Sequence, residues 1–153
     1  MVSKLRKFCR LGTTDRRLLV KALLLLWLFR IGLYLLPFRT VRRLAGIRPG
    51  PPEGRVRPRQ FADEFGDTAA RAVRQASRCV PGSALCLCQA LTVGVLMKRA
   101  GLPAQVIIGV SKQDGHRLAA HAWVESGGAV IIGGEKMMEF TALPVLNFEG
   151  ELS

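Results

Sequence analysis

Residues 14–36 constrain the fold most, because they form a nearly continuous apolar run long enough to cross a membrane. The run reads TDRRLLVKALLLLWLFRIGLYLL, and Thr14 or Asp15 can cap a helix that begins there. Lys21 and Arg30 interrupt it, and a central Arg costs about 2.5–3.5 kcal/mol on membrane-insertion scales. We therefore expect a helix that packs on the protein's own core or lies at a membrane surface, and that ends at Pro37.

Positive charge is concentrated in the first part of the chain. Residues 1–60 contain 15 Lys and Arg against two acids, a net charge of +13, whereas residues 61–153 contain 8 against 9, a net charge of −1. Such a basic half attracts polyanions, anionic lipid or an acidic protein partner, although a solvated helical surface is the alternative. Residues 1–60 hold fewer than six aromatic residues, with no alternation of aromatic and basic residues, so no nucleic-acid partner is expected.

The composition also suggests a division of the chain. Residues 49–59 read PGPPEGRVRPR, which is typical of a linker or surface loop. We therefore predict a basic, Leu-rich helical region over 1–48, a linker over 49–59 and a domain over 60–153. Membrane contact through residues 14–45 stays open.

The targeting and thiol signals favour the cytoplasm. No short apolar run ends early at a small-residue cleavage site, so a secretory signal is not expected. The four cysteines, Cys9, Cys79, Cys86 and Cys88, lack the spacing of a disulfide framework. We therefore expect a cytoplasmic protein with reduced thiols, with membrane association left open.

The second part of the chain predicts helices followed by strands. Residues 60–79 look helical after Gly66, with Asp67 as N-cap, and residues 84–100 form a deeply buried helix capped by Ser83 and ended by Gly101 and Pro103. Three strand-like pieces follow, separated by the turn sequences QDG and SGG: residues 104–110, 119–125 and 129–132. This order is typical of an α+β fold with an antiparallel sheet.

Two residues carry the candidate chemistry. Cys86 falls in the first turn of the buried helix, where the helix N-terminus lowers a thiol pKa and N–H groups can bind an oxyanion. His121 lies in the strand AAHAWVE, on the same side as Trp123 and Glu125, whereas His116 lies beside a turn. A Cys at a helix start and a His on a later strand suit a thiol peptidase, but a buried Cys is more often a small core residue.

Metal binding is not expected, and neither is a cofactor. Cys86 and Cys88 are separated by about 200° around a helix of 3.6 residues per turn, so they cannot chelate one ion there. The chain also lacks the paired CxxC spacing of structural zinc sites.

The stretch from Cys86 to Glu125 resembles the transglutaminase-like cysteine peptidase superfamily. The shared pattern is Cys86, Ala90, the helix end RAGLPA at 99–104 and HAWVE at 121–125. The 15-residue interval from Cys86 to Gly101 fits this pattern, and the interval from Cys88 does not. The resemblance implies a transglutaminase-like (papain-like) core, in which a buried helix bearing Cys86 packs on an antiparallel sheet beside N-terminal helices. It implies Cys86 as nucleophile and His121 as general base, with Cys88 in helix packing.

A narrower resemblance is to the stand-alone leader peptidase of lasso-peptide gene clusters, the B-type maturation protein. It is carried by LPFRTVRRLAG (35–45), CLCQAL (86–91), KRAGLPAQVIIGVSK (98–112) and AHAWVESGG (120–128). The resemblance implies a cysteine peptidase that cuts the leader from a ribosomally made precursor peptide before a lasso cyclase closes the ring. A separate leader-recognition protein would deliver the precursor and could dock on the basic half at Arg39, Arg42 and Arg43. Transglutaminase-like acyl transfer, and a non-catalytic basic adaptor at a membrane surface, are the alternatives.

The third catalytic residue departs from the family pattern. The family places an Asp after the strand that follows the histidine strand, but the sequence there is AVIIGGEKMMEF. We choose Glu135 to orient His121, with Glu139 and Glu125 as other candidates and a dyad oriented by a backbone carbonyl or water as the alternative.

Three further residues are weighed for the site. Trp123 is either a wall of the substrate cleft or ordinary core packing. Gln75 and Gln89 are candidate oxyanion donors, and spacing does not choose between them.

Overall fold

The computed structural model describes residues 13–49, 59–82, 85–113, 117–143 and 146–148. The helices are α1 (Thr13–Leu35), α2 (Phe38–Leu44), α3 (Arg59–Ser77) and α4 (Leu85–Arg99), with a 3₁₀ helix over Gly134–Glu139. The strands are β1 (Ile47–Pro49), β2 (Ala104–Gln113), β3 (Arg117–Ser126), β4 (Ala129–Ile132), β5 (Thr141–Ala142) and β6 (Leu146–Phe148).

Helix α1 confirms the helix expected over residues 14–36. It already includes Thr13, so the expected caps are wrong: Asp15 lies in the first turn, where its charge still suits the positive end of the helix dipole. Ala22 and Leu26 are fully buried, and α1 packs against α3 and α4. By length and composition α1 could also cross a membrane, a property it shares with core helices and signal sequences. The cytoplasmic location therefore stays a prediction.

Helix α3 begins at Arg59, so the expectation of a helix only after Gly66 is wrong. Gly66 is buried in the middle of the helix, and a β-carbon there would lie 2.9 Å from Ile131 Cδ1. The missing side chain lets α3 approach strand β4, and this packing offsets the roughly 1 kcal/mol that Gly costs inside a helix. Asp67 consequently lies inside the helix and does not cap it.

Helix α4 confirms the prediction of a deeply buried helix, since residues 90–97 are all buried. Its C-terminus is closed by a Schellman motif. Gly101 has a φ of +70°, and the Leu102 N–H donates to the Met97 carbonyl at 2.9 Å. The predicted cap, Ser83, lies outside the described residues.

The sheet is antiparallel, with strand order β1-β6-β2-β3-β4, and β5 also pairs with β2. The predicted meander β2–β3–β4 is confirmed, with β2 and β3 longer than expected. Ala104, Val106, Ala122 and Val124 join the helices in the hydrophobic core, so one face of the sheet is covered by helices. The fold is therefore the expected α+β arrangement.

Strand β4 pairs with β3 only over Val124–Ser126. Within the described part of the chain, β3 residues before Val124 therefore have no strand beside them on that side. This part of β3 forms a free sheet edge, which is where His121 lies.

The basic N-terminal region shares its core with the rest of the chain. Leu19, Leu26 and Phe29 belong to the same buried cluster as residues of α3, α4 and the sheet. Residues 50–58 of the predicted linker lie outside the described ranges, so the division into 1–48, 49–59 and 60–153 stays a prediction.

Candidate active site

Cys86 is the second residue of α4, and its side chain is half-buried. The first four N–H groups of an α-helix have no partner within the helix and carry the positive end of its dipole. The start of α4 therefore offers a thiol together with N–H donors that suit an anion.

Cys88 has a different environment from Cys86. It is only 2% exposed, and burial raises the pKa of its thiol. Its carbonyl accepts a hydrogen bond from the Thr92 hydroxyl at 2.7 Å, one turn further along α4. A buried, neutral thiol suits packing better than nucleophilic attack.

His121 is oriented by a backbone carbonyl. Its Nε2 lies 2.7 Å from the Gly133 carbonyl oxygen, and because that oxygen can only accept, Nε2 must carry the proton. In the neutral ring the lone pair is then on Nδ1, which becomes the nitrogen able to accept a proton. The tautomer needed for a general base is thus set by the main chain.

Two aromatic rings pack against the imidazole. The ring centre of Trp123 lies 6.3 Å away in a stacked arrangement, and that of Phe140 lies 5.3 Å away. Gly109 is opposite His121 in the β2–β3 register, and a β-carbon there would lie 2.7 Å from Phe140 Cβ and 2.8 Å from Trp123 Cζ3. Gly109 therefore leaves the space that these rings occupy beside His121.

Gly133 is confined in the same way. Its φ is +84°, and a β-carbon would lie 2.6 Å from the Ala122 carbonyl oxygen and 3.0 Å from Trp123 Cα. Only glycine meets both the left-handed backbone and the close approach to β3. This approach is what places the Gly133 carbonyl on the imidazole.

Cys86 and His121 line one cavity of about 410 Å³. The start of α4 and the free edge of β3 form two of its walls, and α1 contributes Arg30, Leu33 and Tyr34 as a third. Within the described part of the chain, no hydrogen bond joins the Cys86 sulfur to His121, whose imidazole is bonded to the Gly133 carbonyl. Cys86 and His121 nevertheless both line this space, which is of substrate size.

The structure does not bring the Glu135 carboxylate to His121. Glu135 is 70% exposed on the 3₁₀ helix, and its Oε1 lies 3.4 Å from Arg74 Nη2. Glu125 accepts a hydrogen bond from Trp123 Nε1 at 2.9 Å, and Glu139 is exposed. Of the alternatives left open by the sequence, the geometry favours a backbone carbonyl, and Glu135 as orienting residue stays a prediction.

The other predicted site residues also lie away from the cavity lining. Trp123 is 4% exposed and touches the imidazole, so of its two proposed roles the geometry favours packing. Gln75 is exposed on α3 beside α1, and Gln89 is half-buried on α4. Neither glutamine lines the cavity that holds Cys86 and His121.

Several residues of the site escaped the sequence analysis. A glycine inside a strand, Gly109, signals the close approach of another group, and the pair Gly133-Gly134 signals a backbone that needs positive φ. Arg30 was visible only as an interruption of the apolar run. In the structure it lines the cavity, and a β-carbon at Gly82 would overlap its guanidinium.

Comparison with known proteins supports the broader of the two resemblances read from the motifs, and gives no evidence for the narrower one. A family model described as the transglutaminase-like superfamily matches residues 24–145, which include α4, the sheet through β5 and the second half of α1. No curated protein and no solved structure gave a significant match. Among the described residues, no group of three or more His, Cys, Asp or Glu side chains is arranged to hold a metal ion.

Proposed function

The chain belongs to the transglutaminase-like superfamily, whose members are usually cysteine proteases or transglutaminases, and from this premise we propose a cysteine peptidase. Its substrate is a ribosomally made lasso precursor, from which it removes the leader peptide. The observation that carries the proposal is the shared cavity of Cys86 and His121, with Nε2 of the imidazole already held by Gly133.

The reaction begins when Cys86 transfers its thiol proton to Nδ1 of His121. The thiolate attacks the scissile carbonyl, and N–H groups at the start of α4 stabilise the oxyanion. The carbon–nitrogen bond then breaks, and the imidazolium gives its proton to the leaving amine, which frees the core peptide. Water, deprotonated by His121, hydrolyses the remaining thioester, so the leader leaves as a carboxylic acid and the thiol is restored.

The Gly133 carbonyl takes the orienting role that a carboxylate has in a catalytic triad. It holds the Nε2–H tautomer and accepts a hydrogen bond from the imidazolium that forms during the reaction. A neutral carbonyl stabilises that cation less than a carboxylate does, because it carries a dipole and no net charge. Cys86 and His121 therefore form a dyad supported by the main chain.

The cavity walls favour an aliphatic or aromatic residue beside the cut. Leu33, Leu87 and Ile108 supply apolar surface, and Tyr34 adds an aromatic ring. Apolar pockets of this size bury one or two side chains and exclude water from the reacting carbonyl. The leader-recognition protein and the lasso cyclase are the partners that this reaction requires.

Acyl transfer to an amine is the second candidate, because it uses the same thioester. The two reactions differ in the group that attacks the thioester, so the product mass separates them. Incubation with a lasso precursor and its recognition protein should release leader and core peptides, and neither Cys86→Ala nor His121→Ala should release them. A product that links the acyl group to an amine would replace the peptidase by a transferase.

A measurement that needs no precursor peptide tests the Cys86–His121 dyad separately from the choice of substrate. Alkylation of Cys86 by iodoacetamide, followed by peptide mapping, should be faster in the wild type than in His121→Ala, because Nδ1 assists thiolate formation. Exposed Cys79 is an internal control whose rate should not change. Equal Cys86 rates in the two proteins would remove the dyad whatever the substrate is.

A further inference from the structure

One side of α1 exposes a continuous stripe of large apolar side chains. Its members are between 41% and 89% exposed, and they recur at helical spacing over the last two thirds of the helix: Val20, Leu24, Trp27, Leu28, Ile31, Tyr34 and Leu35. We name these seven residues the apolar stripe. Scattered exposed apolar residues need no explanation, but a contiguous row of this length marks an interaction surface.

The opposite side of α1 argues against a simple membrane span. Ala22 and Leu26 are fully buried against the protein, and Leu19, Leu25 and Phe29 are nearly so. A spanning helix would exchange these contacts for lipid and open the core that α1 shares with α3 and α4. Arg30 lies in the wall of the active-site cavity, where a span would place lipid.

Positive charge surrounds the stripe at both ends. Arg17 and Lys21 are exposed on the first turns of α1, and Arg39 and Arg43 are exposed on α2. None of these four forms an ion pair among the described residues. Residues 13–49 contain eight Lys and Arg against Asp15 as the single acid, a net charge of +7.

An apolar groove of about 530 Å³ continues this surface between α1, α2 and α4. Leu28 belongs to both the stripe and the groove, and Leu36 and Leu44 extend the apolar lining. Lys98 and Arg99, the cations that end α4, also line it. An apolar groove bordered by cations suits a membrane surface, in which acyl chains lie below anionic headgroups.

We propose that the apolar stripe docks the protein flat on an anionic membrane surface. The aliphatic side chains enter the boundary between headgroups and acyl chains, Trp27 and Tyr34 lie at the interface that aromatic residues favour, and the exposed cations contact anionic lipid. Charge complementarity favours lipid over the leader-recognition protein as occupant, since the surface combines a wide apolar row with unpaired cations at both ends.

Docking also fixes the orientation of the active site. Tyr34 belongs to both the apolar stripe and the cavity that contains Cys86 and His121. The cavity therefore lies beside the membrane surface, so a precursor would be cut there. Membrane binding itself does not depend on catalysis, and Cys86→Ala should bind vesicles as well as the wild type does.

The test is flotation of the full-length protein with vesicles of phosphatidylcholine alone and with 30% phosphatidylglycerol. We expect the partition coefficient to be at least about tenfold higher on anionic vesicles and to fall in high salt. Leu24→Glu with Leu28→Glu should lower it by about 100-fold or more, because two aliphatic side chains are lost from the bound surface. The matched control is Leu118→Glu with Met138→Glu, which are 74% and 90% exposed elsewhere and should change nothing.

Tryptophan fluorescence supplies a second measurement. The chain has two tryptophans, and Trp123 is buried, so a blue shift on vesicle binding should disappear in Trp27→Phe. Absence of vesicle binding, equal binding by the Leu24/Leu28 variant, or capture of the recognition protein by the stripe in place of vesicles would overturn the proposal. Retention of the protein in cell membranes through alkaline carbonate would overturn it in favour of a span.

Discussion

Replacing Gly133 by Ala tests both the fold around His121 and the orienting role of the backbone. Gly133 has a φ of +84°, and the added β-carbon would lie 2.6 Å from the Ala122 carbonyl oxygen. Since the contact is with backbone, a side-chain rotation cannot relieve it. The segment that begins the 3₁₀ helix must move away from β3, and the carbonyl that holds His121 Nε2 moves with it.

The magnitude follows from two separable costs. A left-handed conformation costs a non-glycine residue about 1–2 kcal/mol, and overpacking adds about 1–3 kcal/mol. Gly128→Ala is the matched control, because Gly128 has a φ of +83° and no heavy atom within 4 Å of its β-carbon position. We expect Gly133→Ala to lower the free energy of unfolding by about 2–5 kcal/mol and Gly128→Ala by about 1–2 kcal/mol.

Urea unfolding followed by circular dichroism measures these free energies, and precursor cleavage measures kcat. A displaced carbonyl should lower kcat by about 10–100-fold at saturating substrate, since general base catalysis contributes about 10²–10⁴-fold. Gly128→Ala should keep kcat within about threefold. Equal stability of the two variants with full activity in Gly133→Ala would refute both the steric reasoning and the role of the carbonyl.

Three further predictions follow. Glu135→Gln removes an exposed contact with Arg74, so kcat should stay within about threefold and stability within about 1 kcal/mol; a loss of about 100-fold in kcat would instead place Glu135 in the site. Trp123→Phe removes the hydrogen bond to Glu125 and should cost about 1–3 kcal/mol of unfolding free energy, whereas Trp27→Phe on the exposed stripe should cost less than about 0.5 kcal/mol. Burial raises the pKa of the Cys88 thiol, so the unfolded chain loses its thiol proton before the folded protein does as pH rises above about 8.5. The free energy of unfolding should therefore fall with pH more steeply in the wild type than in Cys88→Ala. Parallel slopes in urea titrations across pH 8–10 would contradict the last of these predictions.

Local patterns were sufficient to predict one helix and three strands of the second part of the chain. Helix α4 and strands β2–β4 were found from apolar periodicity, turn residues and the Gly101 termination signal, because each is set by nearest neighbours in sequence. The start of α3 could not be found in this way. Gly66 reads locally as a helix break, and only its contact with Ile131, which is distant in sequence, makes it part of the helix.

The candidate nucleophile and base were also available from the sequence, because the resemblance to the transglutaminase-like superfamily selects Cys86 and His121. A backbone carbonyl was one alternative for the group that orients His121, but the sequence could not say which carbonyl, because a main-chain group leaves no residue type to recognise. A search for a third side chain selected Glu135, which the fold directs toward Arg74 and solvent.

By itself the sequence determined the α+β fold class, the alternation of faces along β3 and two candidate reactive side chains, because these depend on residue type and short-range spacing. Tertiary structure alone decided which side of α1 is covered and which is exposed, since α1 is apolar all round and only its neighbours distinguish the two sides. It also decided that the Gly133 main chain, Gly109 and Phe140 surround the imidazole. These residues lie on different elements, and no local sequence pattern predicts that the fold brings them together.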